Sequence, residues 1–447
     1  MCFTKMLLAA LLLALLPLQA IAASKDFTLN VVKFGAKGDG TTDDTAAFRK
    51  ALDAAGKNGG GIVQVPVGNY LIKTNLSIPT CVTLEGVWKI PHVAVKMKSP
   101  YPKFDKTWLC GSVLLAVDGA GKPDGTPFIR LSTNSTVKGL TIYYPDQKPD
   151  AEPTPYPWTI ASVGCDNPSI IDCLLVNPYQ AVDFGTNAAG RHYIRNLYGQ
   201  PLYKGLFIDN CLDVGRIENV HFWPFWTCHV VGGKAAKTDD WVKKNGTAFI
   251  FARSDWEYVT NCFAISYKIG IRFVSASRSG PGNYLLTQSG GDCCEVAVQV
   301  DATQGHSGVA FSNSQIFGRI VVNETNGGPV KFTGCGIFGA SGDVTAPGMI
   351  EVAGPGRVSF DNCSFYAISG SPKCESIINV TNGRLGVSNC VFINSKYTTQ
   401  NIPPIVLGEK TISAIITGNE FYGSKQIANK ATREVIIKDN LFGTDEK

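Results

Sequence analysis

The strongest constraint on how this chain can fold is a short frame that recurs along it. The frame reads apolar, any residue, Asn or Gly, Cys or Asn, any residue, then Phe or another apolar residue. It appears as "IIDCLLV" around Cys173, "YVTNCFA" around Cys262 and "AFSNSQIFG" around Ser314. "KFTGCGIFG", "SFDNCSFYA", "GVSNCVFIN", "IITGNEFYG" and "IIKDNLFG" follow, centred on Cys335, Cys363, Cys390, Asn419 and Asn440. The steps from Ser314 onward are 21, 28, 27, 29 and 21 residues. "YIRNLYG" and "RIENVHF" extend the series back to Leu197 and Val220. A period in the twenties with β-type alternation marks a solenoid of strands. Between the frames lies a second strand type, such as "GLFID", "TAFIFA" and "VAVQVD". Two or three short strands per coil, joined by Gly, Asn and Ser turns, describe an all-β fold, a single parallel β-helix.

Such coils place equivalent residues above one another at strand spacing, ~4.8 Å. The Cys positions should form an internal ladder, because cysteine is small and apolar. The Asn positions should form a second ladder at the turn, where Asn tolerates a left-handed backbone. This accounts for 14 cysteines without a CxxC pair, a pattern that fits neither a structural zinc site nor a disulfide framework. The chain is 44% hydrophobic and 17% charged, with a formal charge of +5 and no basic, aromatic-interleaved run, so nucleic acid is not an expected partner.

The N-terminus carries a targeting signal. Lys5, the apolar run "MLLAALLLALLPLQ" and Ala20-Ile21-Ala22 fit a signal peptide over residues 1–22 with an A-x-A cleavage site. No later segment reaches ~18 consecutive apolar residues, so no membrane span is expected and the product should be secreted or periplasmic. Residues 23–447 read as one domain, with an N-terminal cap and first coils over 23–90 and further coils over 91–447. Val220 to Cys262 spans 42 residues, too many for one regular coil, so a long excursion is expected there.

The cap and first coils open with "VVKFGAKGDGTTDDTAAFRKALDAA", followed by "GGGIVQVPVGNYLI". Phe48, Leu52 and Ala55 form one helical stripe. Thr42 or Asp43 can cap that helix, and Asp43-Asp44 complement its positive end. An EF-hand frame fails, since Asp44 and Lys50 stand where Gly and Glu are needed. The segment resembles the opening of the pectate-lyase-like superfamily, and more narrowly its rhamnogalacturonase, polygalacturonase and epimerase-like members. The resemblance implies a right-handed parallel β-helix, closed at one end by an N-terminal capping α-helix, that acts on or binds polysaccharide.

The polygalacturonase motif set is absent as a set, so no family mechanism transfers residue by residue. The middle coils are the richest in chemistry. Asp255, Glu257, Asp292, Asp209 and His221 are the candidate catalytic groups, and Trp223, Trp226, Arg253, Trp256, Lys268 and Arg272 the candidate substrate-binding ones. Asp255 and Glu257, two apart on a strand, should point the same way and serve as acid and base in a glycosidase. Lys268, Arg272 or His221 would act in the alternative, a lyase or epimerase on uronate glycans. No metal site is read from the sequence, no cofactor is expected, and Ca²⁺ enters only under that alternative. A non-catalytic glycan-binding β-helix is the third reading. The oligomeric state stays open.

Overall fold

The computed structural model describes residues 27–88, 90, 109–231, 236–276, 280–339, 345–367, 374–394, 402–423 and 426–443. The expected signal peptide lies outside them. The chain winds as a parallel β-helix with three faces. Strands of the first face include Gly215–Phe222 (its N-terminal half), Glu257–Thr260, Tyr284–Thr287 and Val309–Ser312. The second face holds Phe263–Ile265, Gly290–Asp292, Gln315–Phe317 and Gly336–Phe338. Lys204–Ile208, Thr247–Phe251, Ile269–Phe273 and Val296–Val300 belong to the third. Each strand pairs in parallel with its equivalent one coil away, as Glu257 with Tyr284 and Tyr284 with Val309.

The corner between the first and second faces is a single left-handed residue. Asn196, Asn219, Asn261, Gln288, Asn313, Asn362 and Asn389 have φ between 47° and 55°. Asn219 Nδ2 donates to Asn196 Oδ1 (2.8 Å) and Asn261 Nδ2 to Asn219 Oδ1 (3.0 Å), the outer ladder. The next residue turns inward. The Cys262 amide donates to Ser289 Oγ (3.0 Å) and the Ser289 amide to Ser314 Oγ (3.1 Å). Further on, the Cys390 amide donates to Asn419 Oδ1 and the Asn419 amide to Asn440 Oδ1. Cys, Ser and Asn are interchangeable here because each is small and offers an acceptor to the amide of the preceding coil. The ladder cysteines Cys173, Cys262, Cys335, Cys363 and Cys390 are free thiols. Inside, phenylalanines stack from coil to coil, with Phe332–Phe360 ring centroids 4.9 Å apart and Phe365–Phe392 4.2 Å.

Helix α1, Thr45–Lys57, lies on the strands Gly61–Val65, Leu76–Ile78 and Val82–Gly86 with Phe48, Ala51, Leu52 and Ala55 buried. It is the expected lid over the open end of the solenoid. Its acids are local braces. The Asp44 carboxylate turns back onto the Lys37 and Gly38 amides (2.7 and 3.0 Å), while Asp43 Oδ1 accepts from the Thr45 amide (3.0 Å). The excursion after Val220 forms α2, Phe225–Val231, and α3, Lys237–Asn245. Thr238 Oγ1 ties it to the Lys148 and Ala151 carbonyls of the loop before the strand Trp158–Ser162. Among the described residues, no helix is long and apolar enough to cross a membrane.

Candidate functional site

The corner between the third and first faces is irregular, and there the side chains with chemistry gather. Asp213, Arg253, Asp255, Trp256, Asn283, Gln304 and His306 line a pocket of about 370 Å³. A bridge joins Cys211 to Ser254, and Gly215 pairs with Glu257. Between those two contacts one coil has three residues, including Asp213, and the next has two, Asp255 and Trp256. The carboxylates therefore come from adjacent coils. Arg253 Nη2 lies 3.0 Å from Asp255 Oδ1, and Gln304 Nε2 donates to the same oxygen (2.8 Å). The Asp213 side chain is 60% exposed. Trp256 projects its indole, 58% exposed, from a left-handed backbone at φ 65°.

Glu257 faces the other way, which corrects the expectation that it shares a face with Asp255. Left-handed Trp256 breaks strand alternation between them, so Glu257 points into the solenoid and is wholly buried. Its Oε1 is 2.8 Å from His192 Nε2, and its Oε2 accepts from Ser254 Oγ (2.6 Å). His192 Nδ1 donates to the Ala189 carbonyl (2.9 Å). Burial works to lower the His192 pKa, but the Glu257 carboxylate, with Cys211, outweighs it and holds the imidazole well above its ordinary value. A Cβ on Gly215 would lie 2.2 Å from Glu257 Oε2, so only glycine fits beside the pair. His192, Cys211 and Glu257 are also the group among the described residues whose ligand atoms, within 4.8 Å of one another, could hold a metal ion.

Other expected site residues are dispersed. Asp209 is buried, and its Oδ1 accepts from the Asn210 and Arg253 amides (2.8 and 3.0 Å), so it braces the corner under the pocket. Trp223 and Trp226 are 7% and 1% exposed. The excursion folds down as a clasp over them, and they cannot stack on a sugar. Lys268 is a surface residue. Arg272, on the third face, has Nε 2.8 Å from Asp301 Oδ2.

His221 and Asp292 meet in a second cavity, of about 570 Å³, on the second face, together with Phe263, Gly290, Gly291, Gln315 and Phe317. Phe263 packs edge-on to His221, with ring centroids 4.8 Å apart. Burial lowers the His221 pKa. Sequence reasoning left Asp213, Gln304 and His306 out of the site. The available signal was their position just before first-face strands, Asp213 one coil before Asp255 and Gln304 and His306 two coils after it.

Residues 28–110 match the family described as rhamnogalacturonase A/epimerase, pectate lyase-like. Over 43 residues the chain is 60% identical to alginate lyase 7 of Azotobacter vinelandii, covering 10% of this chain and 5% of that protein. The structure of bacteriophage phi29 gene product 12 superposes with a TM-score of 0.55 at 17% identity, over 94% of this chain and 54% of that one. The chain has the parallel β-helix fold. The catalytic unit of a GH87 α-1,3-glucanase from Streptomyces thermodiastaticus shares this fold, with a TM-score of 0.50, 15% identity, and 93% and 72% of the two chains covered. This β-helix thus spans about half of the phage chain and a small part of the lyase.

Proposed function

We propose that this β-helix is an exported glycoside hydrolase that cleaves a polysaccharide at the Asp213–Asp255 pocket. The observation that carries the reading is the pairing of two carboxylates from adjacent coils with an exposed indole in one open pocket. Glycosidases work with two carboxyl groups across the scissile bond. A retaining reaction, with one carboxylate as nucleophile and the other as acid and then base, is the form we propose for this pair. Asp255, oriented by Arg253 and Gln304, suits the nucleophile. Attack by its oxygen on the anomeric carbon breaks the glycosidic bond, and Asp213 gives its proton to the departing oxygen. Water then releases the sugar, returning a proton to Asp213. Trp256 offers a flat apolar face to a sugar ring.

The alginate lyase resemblance keeps the lyase alternative in view, but that chemistry needs a cation beside a uronate carboxylate. No lysine or arginine lines the His221 cavity among the described residues, the Arg253 of the Asp255 pocket is engaged by Asp255, and Arg272 by Asp301. The test is product analysis on neutral and anionic polysaccharides: new reducing ends without unsaturated sugars support the hydrolase, unsaturated ends the lyase, and binding without cleavage the non-catalytic reading.

A further inference from the structure

The cavity at His221 and Asp292 is absorbed by no step of the proposed reaction, and its lining is unusual. Its floor is bare, because Gly290 and Gly291 carry no side chain. Aromatic rings wall it on both sides. Phe263 leans on His221, with centroids 4.8 Å apart, and Phe317 stands over Phe338 at 6.4 Å. Between the walls lie Asp292 and Gln315. No hydrogen bond within the described residues occupies their side chains, so one carboxylate and one amide are left to meet a ligand. Among the described residues no lysine or arginine lines it, and burial lowers the pKa of His221.

The two cavities sit at opposite ends of the same strands. Trp256 and Asn261 bracket Glu257–Thr260, while Asn283 and Gln288 bracket Tyr284–Thr287. Five residues at ~3.3 Å of strand rise separate them by roughly 16 Å. Between them Tyr258 and Leu285, paired across the coils, are 42% and 41% exposed.

We infer that the Phe263–Asp292–Phe317 cavity is a second carbohydrate-binding site, selective for uncharged sugar chains, to which the polymer runs from Trp256 across Tyr258 and Leu285. The inference rests on the carbohydrate reading above and narrows its substrate to neutral glycans. Rings stack on the aromatic walls, and hydroxyls bond to Asp292 and Gln315. A uronate or sulfate would meet a carboxylate with no cation to offset it, so anionic chains are rejected.

The test uses the full protein with Asp255→Asn, so that the chain is not consumed. Dextran, xyloglucan, galactomannan and a β-1,3-glucan are titrated by calorimetry beside polygalacturonate and alginate. Asp292→Asn, which keeps the shape of the cavity, and Phe263→Ala are then each added, with melting curves recorded. The expected result is binding of a neutral chain, weakened about tenfold by either substitution, in proteins that still melt cooperatively. Neutral binding unchanged by both substitutions, binding confined to the two uronate polymers, or no binding of any neutral chain overturns the inference. The hydrolase reading fails separately, when unsubstituted protein releases no reducing ends from a chain that the cavity holds.

Discussion

Glu257 and His192, 65 residues apart, meet at 2.8 Å inside the solenoid with both side chains fully buried. The pair lies directly beneath the turn that presents Asp255 and Trp256, and Ser254 joins it to that turn through a 2.6 Å bond to Glu257. Removing one member of a buried pair leaves the other without its partner, at a cost of about 3–5 kcal/mol. Glu257→Ala should therefore lower the denaturation midpoint sharply. Asp255→Asn, at a half-buried side chain held by Arg253 and Gln304, should cost no more than about 1 kcal/mol. Chemical denaturation of the two variants checks the contrast.

The pair also sets a pH dependence. Because the folded His192 pKa is raised, its contribution is complete below the unfolded value of about 6.5. It declines as pH rises from there through the folded value. The melting temperature difference between the natural protein and His192→Gln should shrink steadily from pH 6 to alkaline pH. A difference that grows with pH contradicts the assignment.

The orientation of this pair was illegible in the sequence for a definite reason. "SDWEY" alternates as a strand would, which puts Asp255 and Glu257 on one face. The left-handed backbone at Trp256 flips that relation, and nothing in an ordinary tryptophan announces it. The ladders were legible because the same physical demands recur in each coil: a left-handed residue, then a small inward acceptor. The site was not, because it lies on the corner where coils differ in length. The excursion misled in the same way. Its tryptophans suit sugar stacking in composition, but both are buried, Trp226 from within α2 itself.

The internal ladder predicts its own sensitive position. Asn419 accepts from the Cys390 amide (2.9 Å) and donates to the Val387 carbonyl (3.0 Å) while 1% exposed. Asn419→Ala leaves both groups unpaired in the core, at about 1–3 kcal/mol for each. Thermal unfolding should show a loss of that size.

Burial pushes the thiols of Cys173, Cys262 and Cys294 up to about 12. In the folded protein they should resist a thiol reagent at pH 8 and react only on unfolding. Exposed Cys81 and Cys110 should label within minutes. Peptide mapping of labelled protein separates the two groups.

The most direct test of the account is reducing-end release by unsubstituted protein, Asp255→Asn, Asp213→Asn and Glu257→Gln on the polysaccharide that the natural protein cleaves. Loss of either pocket carboxylate should lower kcat by at least about 100-fold with folding intact. Glu257→Gln should act mainly through stability, with its activity following the folded fraction. Cleavage at the natural rate by both Asp213→Asn and Asp255→Asn, or products with unsaturated ends, contradicts the account.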